Sequence, residues 1–177
     1  TAGGHGVVQA KYLANPDPKV LTVIGCGAQA KAGIRGFLTQ FPTLKQLRLF
    51  NRSRGPMEQV QKELADRVEV TICNSPAEAV TGSTLILMAA GAQTTLVTAD
   101  MICPGTTIIG IEGFRDLDPR IGKQADKWYL GYRKPDAHIL KSPRLNPEHF
   151  LQDEDVYDVY RYPAIDADAV FKKAKLH

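Results

Sequence analysis

The sequence predicts an α/β protein: a doubly wound, mostly parallel six-stranded sheet with helices on both faces, followed by an irregular C-terminal tail. Three observations carry this reading. Short apolar runs alternate with segments of helical spacing from Val20 to Tyr132. The run Thr84–Ala90 is continuously apolar after its first residue, as a strand covered on both faces must be. The first strand runs straight into Gly25-Cys26-Gly27-Ala28-Gln29-Ala30, a glycine turn that opens a helix.

Residues 2–14 (AGGHGVVQAKYLA) read as a weak helix. Val7, Val8, Ala10 and Tyr12 can line one side, but Gly3, Gly4 and Gly6 each oppose helix by about 1 kcal/mol relative to Ala. Asn15-Pro16-Asp17-Pro18 breaks the chain. Val20–Ile24 is the first strand. From Ala28 a helix follows, with Ala30, Ile34, Phe37, Leu38 and Phe41 on one stripe, and Phe41-Pro42 ends it. Leu47–Phe50 is the second strand, Met57–Asp66 a helix with Val60 and Leu64 inward, and Val68–Cys73 the third strand. A short helix, Pro76–Val80, precedes the fourth strand, Thr84–Ala90. A helical turn at 97–103 leads to the fifth strand, Thr106–Ile111. Pro119–Ala125 is a short helix and Lys127–Tyr132 the sixth strand. Beyond it the periodicity decays. Residues 134–163 hold four prolines and three tyrosines, and Asp166–Leu176 is a candidate closing helix. The expected organisation is a lead-in helix and breaker over 1–18, a nucleotide-binding domain over 19–133 and a tail over 134–177.

Bulk composition narrows the function. The 22 basic and 19 acidic residues leave a net charge of +3, too balanced for a nucleic-acid surface. No apolar run approaches the ~20 residues that span a bilayer, and no signal peptide is visible. The three cysteines, Cys26, Cys73 and Cys103, are odd in number and scattered, which suits a reducing cytoplasm. His5, His138, His149 and His177 are dispersed and lack metal-ligand spacing, so no metal is expected. The chain begins with Thr1 inside a helix-like segment, and a fragment of a longer protein is the expectation.

Gly25-x-Gly27-x-x-Ala30 is the dinucleotide fingerprint of a Rossmann domain, in its confirming strand-turn-helix context. Each small residue has a physical task. Gly25 permits the tight turn off the strand. Gly27, lacking a Cβ, lets a diphosphate approach the backbone. Ala30 lets the helix pack closely on the sheet. The N–H groups at the helix start then face the phosphates. Cys26 sits in this loop, where a helix N-terminus can lower a thiol pKa; a small tolerated residue is the simpler reading.

The end of the second strand discriminates between coenzymes. An NAD site carries Asp or Glu there for the ribose hydroxyls. This strand ends Phe50-Asn51-Arg52-Ser53-Arg54, with no acid. Arg offers a planar fork of donors to a 2′-phosphate, and Ser53 adds a hydroxyl. The same NRSRG is also a good solvated turn. Position favours NADP(H), with NAD(H) as the second choice.

The stretches KYLANPDPKVLTVIGCGAQAKA, LRLFNRSR, SPAEAVTGSTLILMAA, CPGTTIIGI, DLDPRI and ADKWYL together resemble the ornithine cyclodeaminase/mu-crystallin family over about residues 7–132. The resemblance implies a two-domain, dimeric NAD(P)-dependent protein acting by hydride transfer on a small amino or imino acid. It assigns Gly25, Gly27, Ala28, Gln29 and Ala30 to the phosphate loop and Asn51, Arg52 and Ser53 to the adenosine-phosphate corner. It puts Ala89 and Ala90 beside the nicotinamide half. The family's catalytic acid after the fifth strand has Glu112 as its nearest equivalent here, equally readable as an acid at a loop entry. The basic residues that hold the substrate carboxylate in the family fall upstream of Thr1, so this chain alone is expected to bind coenzyme with little or no turnover. A non-catalytic NADP(H)-dependent binding protein and a shikimate dehydrogenase- or glutamyl-tRNA reductase-like domain are the alternatives.

Overall fold

Parallel pairing follows from the alternation, because each intervening helix returns the chain to the same end of the sheet. The computed structural model describes residues 2–111, 115–130, 141, 143 and 156–158. Five strands, β1 (Val20–Ile24), β2 (Gln46–Phe50), β3 (Glu69–Ile72), β4 (Leu85–Met88) and β5 (Thr107–Gly110), lie in the order β3-β2-β1-β4-β5. Val23 pairs with Leu49 on one side and Leu87 on the other, and Leu87 pairs with Ile109. All four are buried, so one apolar row crosses the sheet.

Amphipathic helices cover that row. Helix α2 (Ala28–Gln40) buries Ala30, Gly33, Ile34 and Phe37, the stripe its spacing predicts. Phe37 stacks on Phe41 at 6.1 Å between ring centroids. Helix α3 (Arg54–Leu64) buries Met57, Val60 and Leu64. It starts at Arg54 rather than Met57, because Pro56 lies within the first turn, where its missing N–H has no intrahelical acceptor to lose. Helix α4 (Pro76–Val80) is capped by Ser75, whose hydroxyl accepts from Glu78 N at 3.1 Å, while Glu78 accepts from Asn74 N at 2.7 Å. Thr22, fully buried on β1, donates to the Ala79 carbonyl at 2.8 Å and contacts the Ser83 hydroxyl, so its polar atom is satisfied.

Helix α1 (Ala2–Leu13) forms despite its glycines. Gly3 and Gly6 are buried contact points. A Cβ on Gly3 would overlap the Gln29 carbonyl oxygen, and one on Gly6 would lie 2.9 Å from Ile109 Cγ2. Close packing on α2 and β5 offsets the poor propensity.

The expected six-stranded sheet is corrected to five. The last strand of the alternation, β6 (Trp128–Leu130), pairs in parallel with β7 (Val156–Asp158) in a separate two-stranded sheet, Trp128 opposite Val156. A local apolar run marks a strand but not its partner, and here the partner comes from the tail. The chain divides into two compact units, Thr1–Leu117 and Asp118–His177. The first holds the five-stranded sheet. In the second, helix α5 (Pro119–Gln124) is capped by Asp118, which accepts from Arg120 N at 2.9 Å. The closing helix expected at 166–176 lies outside the described residues. Among the described residues no helix is long and apolar enough to cross a membrane, and no group of three or more His, Cys, Asp or Glu is placed to hold a metal ion.

Candidate nucleotide-binding site

The strand order reverses between β1 and β4: the chain builds outward through β2 and β3, then crosses to the far side of β1. Ligands of open parallel sheets bind beyond the carboxyl ends of the strands at such a switch point. The loop Gly25–Ala30 leaves β1 there.

Gly25 is buried at φ +101°, a backbone region that favours glycine. Its N–H donates to the Phe50 carbonyl at 2.7 Å. A Cβ at this position would overlap the Ala89 carbonyl oxygen and lie 2.7 Å from Ala90 Cα. Ala89 N in turn donates to the Ile24 carbonyl at 2.8 Å, which holds the two strand ends together. Gly27 is the opposite case. It is exposed at φ −75°, and a Cβ there would meet nothing within 4 Å. The space over Gly27 is therefore open, and a Gly at this position leaves room for a ligand.

Helix α2 closes its first turn with Lys31 N donating to the Gly27 carbonyl at 3.0 Å. The N–H groups of Ala28, Gln29 and Ala30 precede any intrahelical acceptor. No acidic residue lies in this first turn, so no side chain of the turn itself opposes the positive end of the helix dipole. Ala28 is exposed, and Ala30 is fully buried where the helix packs on the sheet. The half-buried Gln29 accepts from Gly3 N through Oε1 at 3.2 Å, tying α1 to the loop.

The second corner is the β2–α3 turn. Asn51 is half-buried; Arg52 and Ser53 are exposed. Ser53 is the N-cap of α3 and makes no side-chain capping bond, so its hydroxyl is available. The two arginines differ. Arg54 is held in an i,i+4 ion pair with Glu58 at 2.8 Å. Arg52 makes no hydrogen bond or ion pair among the described residues. The guanidinium free to meet an anion is thus that of Arg52.

Cys26 is buried, and burial pushes its thiol up to about 11 despite the nearby Lys31. Desolvation outweighs any lowering by the helix N-terminus, so Cys26 is an inert packing residue. Glu112 lies outside the described residues. A groove of ≈ 380 Å³ lined by Leu38, Leu44, Lys45 and Ala65 sits instead where α2 and α3 end. The groove lies at helix C-termini, which present carbonyl groups, whereas the N-terminal end of α2 presents N–H groups.

What sequence reasoning missed is the bonding of Asn51. Its Oδ1 accepts from Cys26 N at 3.2 Å and its Nδ2 donates to the Ser53 carbonyl at 2.9 Å. Composition of the turn contains no signal for this tertiary contact.

A parallel sheet wound in this order, with a glycine loop at its switch point, defines a Rossmann-type α/β domain. The chain belongs to the ornithine cyclodeaminase/mu-crystallin family, which it matches over residues 1–139. Ketimine reductase mu-crystallin of Rattus norvegicus is 30% identical over 122 residues, 67% of this chain and 38% of that protein. The chain therefore spans well under half the length of this relative. The probable ornithine cyclodeaminase of Bordetella pertussis shares the fold with a TM-score of 0.79 at 19% identity, covering 99% of this chain and 55% of that one. The Δ1-pyrroline-2-carboxylate reductase of Thermococcus litoralis, solved with NADH and L-proline, gives 0.73 at 21% identity, over 89% and 50% of the two chains.

Proposed function

We propose that this chain carries the NADP(H)-binding domain of an oxidoreductase or cyclodeaminase acting on a small amino or imino acid. One observation carries the reading: the open loop over Gly27 lies at the switch point, with the unpaired Arg52 on the adjacent turn. Membership of the family supports a nicotinamide coenzyme and favours this reading over a shikimate dehydrogenase- or glutamyl-tRNA reductase-like domain.

When bound, the nicotinamide supplies or accepts a hydride at the carbon bearing the amino or imino group. The chain's own residues hold and orient. The amides of Gly27 and Ala28, at the positive end of α2, bind the diphosphate. Arg52 and Ser53 take the 2′-phosphate through charge-assisted hydrogen bonds. The small side chains of Ala89 and Ala90, at the end of β4, leave room for the nicotinamide half. Glu112 is the proton-handling group in this proposal, carried over from the family. A homodimer held through the family's separate substrate-binding domain completes it for the whole protein. The three free thiols, two buried and Cys103 exposed, suit the reducing cytoplasm to which we assign it.

The test is transfer of deuterium from [4-²H]NADPH to a cyclic imino acid by the full-length protein, read by mass spectrometry of the amine formed. Label in the product supports the oxidoreductase. Tight NADPH binding with no label from NADPH, and no ammonia released from a diamino acid in the presence of NADP+, would leave a coenzyme-dependent binding protein.

A further inference from the structure

We propose that Asn51 is a positioning residue: its side-chain amide braces the phosphate loop against the β2–α3 turn and so sets the spacing between the diphosphate donors and Arg52. The inference rests on the dinucleotide reading above and adds a role to a residue that touches protein at both ends.

An amide side chain has an acceptor at one end and a donor at the other. Asn51 uses both, in opposite directions. Its oxygen takes the Cys26 N–H of the loop, 3.2 Å away, and its nitrogen reaches the Ser53 carbonyl of the turn at 2.9 Å. The neighbouring loop amide, Gly25 N, is tied to the Phe50 carbonyl at 2.7 Å. Two successive loop amides are thereby bound to the end of β2, and the amides left for a ligand begin at Gly27. The position at the end of the second strand is where an NAD site keeps its acid. An Asp here would still accept from Cys26 N–H, but it has no hydrogen for the Ser53 carbonyl, and its charge would face a bound 2′-phosphate. Of the two isosteres, only the amide makes both bonds.

Full-length wild type, Asn51→Ala and Asn51→Asp are titrated with NADPH and NADH by calorimetry, with amide exchange of Cys26 followed by NMR without coenzyme. Asn51→Ala is expected to lose about tenfold in affinity for both coenzymes and to expose the Cys26 amide to faster exchange. Asn51→Asp, which keeps the bond from Cys26 N–H and loses the one to the Ser53 carbonyl, is expected to restore Cys26 protection and part of the NADH affinity lost in Asn51→Ala, while NADPH binding stays at least about tenfold weak. That rescue of one coenzyme separates positioning from a general loss of structure. Should Asn51→Ala fail to fold, the split between coenzymes in Asn51→Asp and its Cys26 protection carry the test. Unchanged affinities and exchange in Asn51→Ala would overturn the brace, as would loss of NADPH binding alone, which would make Asn51 a direct reader of the 2′-phosphate. A wild type that binds neither coenzyme would overturn the dinucleotide reading and the brace with it; a binding wild type with an indifferent variant overturns the brace only.

Discussion

Gly25 lies against Ala89 so closely that a single added methyl group would overlap the Ala89 carbonyl oxygen. The contact joins the ends of the two strands that flank the switch point, and it combines with φ +101° to exclude other residues. Gly25→Ala is therefore expected to destabilise the protein by about 3 kcal/mol, from backbone strain and overlap together. Urea denaturation checks this, and a loss below about 1 kcal/mol would mean that the junction is softer than its geometry indicates.

Gly27 separates folding from binding. Its φ of −75° suits any residue, and a side chain there would extend into open space. Gly27→Val is expected to cost no more than about 1 kcal/mol of stability, the penalty of a β-branched N-cap. It should nevertheless weaken both NADPH and NADH by more than about 100-fold, because the methyl groups would occupy the position proposed for the diphosphate. Thermal melts together with titrations decide; retained affinity would place the diphosphate elsewhere.

In the proposed reading Arg52 carries coenzyme choice. Arg52→Ala should weaken NADPH by about 10- to 100-fold, the worth of charge-assisted hydrogen bonds, and leave NADH within about threefold. Arg54, already paired with Glu58, is a control whose loss should matter far less. Equal losses of both coenzymes in Arg52→Ala would remove the 2′-phosphate assignment.

The buried thiols give a pH dependence. Burial raises Cys26 from 9.0 to about 11 and also raises Cys73, with Glu78 adding to it. The folded thiols keep their protons over a range in which the unfolded chain has lost them. Their contribution to stability is thus complete below about pH 9 and falls as the pH rises toward about 11. Denaturation at pH 7, 9 and 10.5 should show the fall, and Cys26→Ala should reduce it. Iodoacetamide at pH 8 should label the exposed Cys103 first. Rapid native labelling of Cys26 would contradict its burial.

Much of the fold is legible in the sequence, for physical reasons that differ by element. The β1–α2 unit declares itself because strand periodicity, a glycine pair and a helical stripe coincide within residues 20–41. The apolar run of β4 marks a strand covered on both faces. Helix α1 was legible only as a weak helix, because Gly3 and Gly6 lower propensity while serving contacts that only the tertiary structure reveals. The start of α3 was masked by Gly55-Pro56, which reads as a breaker although the first turn tolerates it. The partner of β6 was invisible because pairing between residues 128 and 156 leaves no local trace. At the candidate site, the glycine turn between β1 and α2 was readable from spacing. The bond from Cys26 N–H to Asn51 Oδ1, 25 positions away, was not.

A crystal structure of the protein with NADPH tests the central claim most directly. The account predicts the diphosphate against the amides of Gly27 and Ala28 and the 2′-phosphate beside Arg52 and Ser53. A coenzyme bound elsewhere, or a Gly25–Ala30 loop filled by the protein's own side chains while NADPH is present at saturating concentration, would contradict it.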